Sequence, residues 1–169
     1  MNWDIGTSRA GGLPARAPLV DGMPRRTALA TLVRTPICLD ESIVSLERAA
    51  NAIALHAATY LNIKPGRVGG YLKAKRIHDL CLAEGVGVWC GGMLETGIGR
   101  AANAALAALP GFTLPGDISA SGRFYARDIT PPIELVGGFI KVPTGIGFGV
   151  EPIAELLREV TTSMEWVAA

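Results

Sequence analysis

Asp40 and Lys64 are the side chains whose type and placement best suit chemistry. Each closes an apolar, strand-like run, in TPICLDES (35–42) and LNIKP (61–65). A carboxylate there offers a hard oxygen ligand to a divalent cation such as Mg²⁺, which usually shares its shell with substrate and water. A lysine there acts as a general base once burial or a neighbouring positive charge brings its pKa down from about 10.4 toward neutrality. Plainer readings stand beside these. Asp40 ahead of Glu41 and Ser42 also suits a helix entrance, Glu41 suits a dipole-complementing first turn, and Lys64 suits a solvated loop. His56 and His78 fall within helical patterns without a partner at metal-ligand spacing and read as ordinary helix residues. Gly145, Gly147 and Gly149 miss both the dinucleotide and the P-loop spacings, and follow no clear strand.

The elements that must position Asp40 and Lys64 show in the alternation of hydrophobic period. Thr27 to Arg34 has a helical pattern, and Pro36 pushes its predecessor toward extended geometry, opening a strand over 36–40. Ile43, Leu46, Ala50, Ile53 and Ala57 fall on one helical face, and Tyr60 to Ile63 reads as the next strand. Gly69 and Gly70 mark a loop. Tyr71 to Glu84 then predicts a helix with Ala74, Ile77 and Cys81 inward, stopped by Gly85, and Val86 to Cys90 a third strand. Thr96 to Leu109 predicts an Ala-rich helix ended by Pro110 and Gly111, and 112–117 a weak fourth strand. From Ser119 the alternation stops: a hairpin is expected around Gly137 and Gly138, and a last helix over Pro152 to Val160.

Parallel strands joined by crossover helices display functional groups at their carboxyl ends, where Asp40, Lys64 and the Gly91, Gly92, Met93 turn all fall. A closed (β/α)₈ barrel takes eight such units in typically about 250 residues. The 169 residues here carry about four, so the pattern predicts the C-terminal half of a barrel with an appended hairpin and helix. Three segments are expected: an irregular tail over 1–26, the patterned domain over 27–161 and a short tail over 162–169.

Composition sets the outer bounds. With 49% hydrophobic and 18% charged residues the chain has the makings of a folded core, and a formal net charge of +1 without basic, aromatic-interleaved stripes points away from nucleic acid. This balance leaves small anionic substrates open. Cys38, Cys81 and Cys90 are odd in number and lack CxxC spacing, which predicts reduced core cysteines rather than disulfides or structural zinc. The start of the chain has no basic stretch followed by an apolar one, and polar residues interrupt the Ala-rich runs; a cytoplasmic protein without a membrane partner is expected.

Four segments in order, TPICLDESI (35–43), NIKPGRVGG (62–70), VWCGGMLETGIGRAAN (88–103) and LPGDISAS (114–121), resemble the o-succinylbenzoate synthase and N-acylamino acid racemase branch of the enolase superfamily. The likeness runs from about Thr27 to Thr161. It implies a barrel with a capping domain, and a Mg²⁺ held by three carboxylates at successive strand ends, Asp40 matching the third. In that family the metal binds a substrate carboxylate and stabilises the enediolate formed on proton removal. Two lysines flank the reacting carbon, and Lys64 matches the one on the later strand. In the synthase, a lyase of menaquinone biosynthesis that eliminates water from a cyclohexadiene carboxylate, this lysine stabilises the enediolate; in a racemase both lysines exchange the proton. Gly92, Met93 and Leu94 match the loop that contacts the succinyl or acyl part of the substrate.

The resemblance leads with the synthase and keeps the N-acylamino acid or N-succinylamino acid racemase as its alternative. The family's LysxLys strand and its first two metal ligands have no counterpart in 1–26, and Asp4 and Asp21 sit in patternless sequence. The chain therefore carries one metal ligand and one of two lysines, so a non-catalytic remnant or a half-barrel module needing a complementary chain is the alternative of another class. Open strand edges would favour self-association. The abrupt onset of patterning near Thr27 also raises the expectation of a displaced reading frame or a late start.

Overall fold

Residues 23–167 are described in a computed structural model of the chain; 1–22, with Asp4 and Asp21, and the last two residues lie outside the described residues. The described chain divides into two units. The first runs to Met93 and takes in Leu106–Asp117, and the second comprises Leu94–Ala105 and the residues from Ile118 onward.

In the first unit the alternation of strand and helix is present. Helix α1 (Met23–Leu32) precedes strand β1 (Cys38–Leu39), and α2 (Leu46–Ala54) leads to β2 (Tyr60–Ile63). The short α3 (Pro65–Val68) and the longer α4 (Tyr71–Ala83) then lead to β3 (Gly87–Cys90). The three strands form one parallel sheet in the order β1, β2, β3, with Leu39 beside Leu61, Leu61 beside Val88 and Ile63 beside Cys90. Because strand side chains alternate, this register gathers Leu39, Leu61, Ile63, Val88 and Cys90 on one face, all fully buried. Helix α4 packs against β2 and β3, burying Ala74, Ile77, His78 and Cys81, and α2 packs against α4. The opposite face carries Cys38, Asp40, Tyr60, Asn62, Lys64, Trp89 and Gly91, and there Trp89 Nε1 donates to Cys38 Sγ at 3.1 Å.

Several sequence expectations shift. Helix α1 starts at Met23, inside the segment read as irregular tail. In α2 the fully buried residues are Ala49 and Ala52, whereas Leu46, expected inward, is exposed. The expected fourth strand over 112–117 reduces to a single parallel bridge from Phe112 to Val88, because Pro110 and Pro115 bracket too short a run for a ladder. His56 lies past the end of α2 with φ 49°, not within a helix. His78 does belong to α4: its ring stacks on Phe112, with Nε2 2.9 Å from the Pro110 carbonyl oxygen and Nδ1 3.0 Å from Asp79 Oδ1. None of the three cysteines is in a disulfide, and burial pushes the Cys81 thiol up to about 12, consistent with an inert core residue.

The second unit holds most of α5 (Gly97–Ala107), a 3₁₀ turn at Ser121–Arg123, the antiparallel pair β4 (Leu135–Val136) and β5 (Phe139–Ile140), and α6 (Ala154–Val160). Gly137 and Gly138 both have positive φ, as the expected two-residue hairpin turn requires. Asp128 ties the unit together, accepting the Gly97 N–H at 3.0 Å and the Ser121 hydroxyl at 2.7 Å. Arg100 is fully buried, donates from Nη1 to the Ser119 carbonyl and lies over the Phe124 ring. Among the described residues no helix is long and apolar enough to cross a membrane.

Ser45 caps α2 from extended backbone, its hydroxyl accepting the Arg48 N–H at 3.2 Å. Replacing such a cap removes the partner of an otherwise orphaned donor. Ser45→Ala is expected to lower stability by about 1 kcal/mol, read as a shifted urea midpoint at unchanged slope.

Candidate functional site

Asp40 follows β1 and Lys64 follows β2, and adjacent parallel strands bring the two to the same edge of the sheet. Lys64 Nζ lies 3.1 Å from Asp40 Oδ2. The site's third member is Arg67, whose Nη1 donates to Asp40 Oδ1, while its Nε donates to the Ile43 carbonyl at 3.0 Å and its Nη2 to the Asn62 carbonyl at 2.8 Å. One guanidinium thus grips the carboxylate, the loop after β1 and the backbone of β2. All three side chains are largely buried.

Local sequence explains the placement. Pro65 stands at the first position of α3, where its missing N–H costs nothing and its fixed φ favours a helical turn. Two residues later Arg67 faces back over Asp40, and Gly69 ends α3 with φ 87°, a left-handed value that a side chain would oppose. The sequence had suggested only a loop here.

Electrostatics follow from the contacts. Burial alone would raise the Asp40 carboxyl, but hydrogen bonding and charge from Arg67, then Lys64, outweigh it and hold the group below its ordinary value of 3.8. Two cations around one carboxylate leave a surplus of one positive charge, which suits a small anionic ligand.

Two further residues of the same face complete the surroundings. Asn62 is fully buried and stands between Tyr60 and Lys64 in the alternation of β2. Gly91 allows close approach: a Cβ there would stand 2.7 Å from both Asn62 Nδ2 and Lys64 Cε, and closer still to Asn62 Oδ1. The adjoining turn is held by Asp117, whose Oδ1 accepts the Gly92 N–H at 2.6 Å. Met93 is half exposed, its sulfur near Gly66, and Leu94, the first residue of the second unit, is exposed. The structure therefore brings Asp40 and Lys64 together and sets Gly92 and Met93 on the following strand's turn. Arg67, Asn62 and Asp117 had been given no role from sequence, although the period of two already placed Asn62 on the face of Lys64.

A resident Mg²⁺ needs several oxygen ligands. Among the described residues no three His, Cys, Asp or Glu side chains gather in a metal-holding group, and Asp40 has both oxygens engaged by cations. The described residues alone do not fit a Mg²⁺ site.

The Asp40 pairing has a definite pH signature. Because the folded-state pKa lies below the unfolded value, its stabilisation is present above about pH 3.8 and is lost as the pH falls through the folded-state value. Arg67→Met is expected to cost about 3 kcal/mol at pH 7 and to flatten the loss of stability between pH 5 and 2, measured by urea unfolding at each pH.

Comparison with known proteins identifies the family. The family model described as "Enolase C-terminal domain-like" matches residues 15–156. An N-succinylamino acid racemase of Amycolatopsis is 65% identical over 141 residues, covering 83% of this chain and 38% of the relative. The o-succinylbenzoate synthase of Bacillus subtilis is 53% identical over 134 residues, covering 79% of this chain and 36% of the relative. The crystal structure of an enolase-superfamily member from Listeria innocua superposes with a TM-score of 0.78 at 45% identity, covering 82% of this chain and 38% of that one. The chain thus spans a little over a third of the length of these relatives and corresponds to half of their (β/α) barrel. It belongs to the enolase C-terminal domain-like family and is homologous, over about four fifths of its length, to the o-succinylbenzoate synthases and N-succinylamino acid racemases.

Proposed function

We propose that this chain carries the C-terminal share of an N-succinylamino acid racemase site, with Lys64 as the group that takes or returns the proton on one face of the carbon beside the substrate carboxylate. The observation that carries the reading is the buried triad of Lys64, Asp40 and Arg67 at the end of parallel strands, in a chain 65% identical to such a racemase over 141 residues. The surplus positive charge of the triad attracts the substrate carboxylate. Asp40 orients the lysine, and Arg67 keeps that carboxylate compensated. Gly92 and Met93, on the turn after β3, are the contacts we infer for the N-succinyl part, with Leu94 beside them in sequence.

Asp40 is inferred to supply one Mg²⁺ ligand, the remaining carboxylates coming from a part of the relatives that this chain does not span. When bound, such a cation would make the carbon beside a carboxylate more acidic. The 169-residue chain by itself is expected to show no saturable Mg²⁺ binding below about 1 mM, the weak end of protein cation sites; submillimolar binding by calorimetry would mean that its own residues form a site.

The second reading, o-succinylbenzoate synthase, is supported by the 53% identical relative of Bacillus subtilis. Both reactions begin with loss of a proton next to a carboxylate, so the assay decides. The chain is placed in one polypeptide behind the N-terminal part of the Amycolatopsis racemase, replacing the matched region, and tested on N-succinyl amino acids and on the cyclohexadiene carboxylate. Racemisation is expected to exceed dehydration, and Lys64→Ala is expected to lower it by about 10²- to 10⁴-fold. Full racemisation without Lys64 would remove the lysine from the mechanism, and dehydration alone would establish the synthase reading.

A further inference from the structure

Asn62 is a buried polar side chain that the triad does not use. Its residue is completely enclosed, yet among the described residues neither Oδ1 nor Nδ2 has a hydrogen-bond partner. Leaving both ends of a buried carboxamide unpaired is unfavourable, and a leucine of similar shape would avoid the cost. The polar group is therefore placed where a hydrogen bond is made in another arrangement of the site.

The neighbouring group able to make that bond is Lys64. Asn62 and Lys64 stand two residues apart on β2 and point to the same face. Their side chains converge on Gly91: Asn62 Oδ1, Asn62 Nδ2 and Lys64 Cε all lie within 2.7 Å of the point a Cβ on Gly91 would occupy. Glycine at 91 leaves that space to the two side chains. Lys64 Nζ is meanwhile turned to Asp40 Oδ2.

We propose that Asn62 is a positioning residue for Lys64, its Oδ1 being the second acceptor to which the lysine turns when its ion pair with Asp40 opens. The role rests on the reading of Lys64 as the proton-transfer group, since a lysine held against a carboxylate must turn away from it to reach a substrate carbon. Arg67 makes the movement affordable. It donates to the other oxygen of Asp40, so the carboxylate stays paired after the lysine leaves, and its Nη2 fixes the Asn62 backbone through the carbonyl. An amide oxygen only accepts, and holds the lysine without a full opposing charge. Lys64 thus has two seats on one face, a charged one on Asp40 and a neutral one on Asn62.

A double-mutant cycle on the full 169-residue chain tests this without any activity. With Asp40 present, Asn62→Leu is expected to leave the melting temperature unchanged or to raise it, because the carboxamide is idle. In an Asp40→Ala background the lysine rests on Asn62, and Asn62→Leu is expected to lower the melting temperature by about 2–4 °C. Equal shifts in both backgrounds would overturn the proposal and leave Asn62 a merely structural residue. Should Asp40→Ala not fold, the shape-preserving Asp40→Asn is used with ¹⁵N-resolved NMR of the Asn62 side-chain amide. That resonance is expected to move on Asp40→Asn and to return when Lys64→Met is added; a resonance indifferent to Lys64 refutes the second seat. The outcomes separate from those of the racemisation assay: coupling without racemisation would reject the function and keep the two-seat lysine, and racemisation without coupling would do the reverse.

Discussion

A buried carboxylate must be paired, and the pairing of Asp40 is the constraint on which the polar half of this structure depends. The group lies at the end of β1 and is met from one side by Lys64 at the end of β2 and from the other by Arg67 on α3. Those two contacts set where β2 must end, why a single helical turn follows it immediately, and why that turn stops at Gly69 before α4 can begin. Arg67 adds backbone bonds to Ile43 and Asn62, so the charge that neutralises Asp40 also anchors the loop after β1 and the strand beside it. Electrostatic compensation and chain geometry are solved by one side chain.

The other half of the unit depends on a division of labour across the sheet. Period-two alternation gives the helices an apolar face of Leu39, Leu61, Ile63, Val88 and Cys90, and leaves Asp40, Asn62, Lys64 and Gly91 on the reverse. A slip of one residue in β2 would carry Lys64 and Asn62 under α4 and expel Leu61 and Ile63, so the same apolar contacts that hold the core hold the polar groups in line. Burial of the apolar face is consequently a specificity device for the site as well as a source of stability.

That division explains what was legible in the sequence. Leu61, Ile63 and Val88 made the strands readable, and the change of period after Ser42 and Gly70 made the helices between them readable. Asp40 and Lys64 stood out because each was a charged residue closing an apolar run. Arg67 did not, since a single helical turn of four residues is too short to show a period, and Gly69 with Gly70 reads as a loop. Asn62 was hidden for a different reason: inside an apolar run it looks like an interruption until strand pairing shows which face it shares. The weak 112–117 strand failed because parallel pairing depends on a neighbour, and Pro110, Gly111 and Pro115 leave little chain free to form a ladder beside β3. Leu46 was misplaced by periodicity because α2 turns small residues, Ala49 and Ala52, into the interface with its neighbours.

The similarity to both a racemase and a synthase has a physical basis in the same few groups. Losing a proton next to a carboxylate is the first event of either reaction, and a lysine at a strand end can serve it by exchanging the proton or by stabilising the enediolate with its charge. What separates them comes afterwards: racemisation needs a proton returned to the opposite face, whereas dehydration needs a leaving group protonated on a ring held in register with the base. On the proposed function Lys64 serves only one face of the carbon, so neither demand is met by Asp40, Lys64 and Arg67 alone. The first also needs a group facing Lys64 across the substrate, and the second needs whatever fixes the distal part of the molecule, for which the proposed function offers the turn through Gly92 and Met93 that Asp117 holds by the Gly92 N–H. On the proposed function, selectivity between the two reactions would rest on the turn and on the opposing proton donor, while the triad would serve the step that the two reactions share.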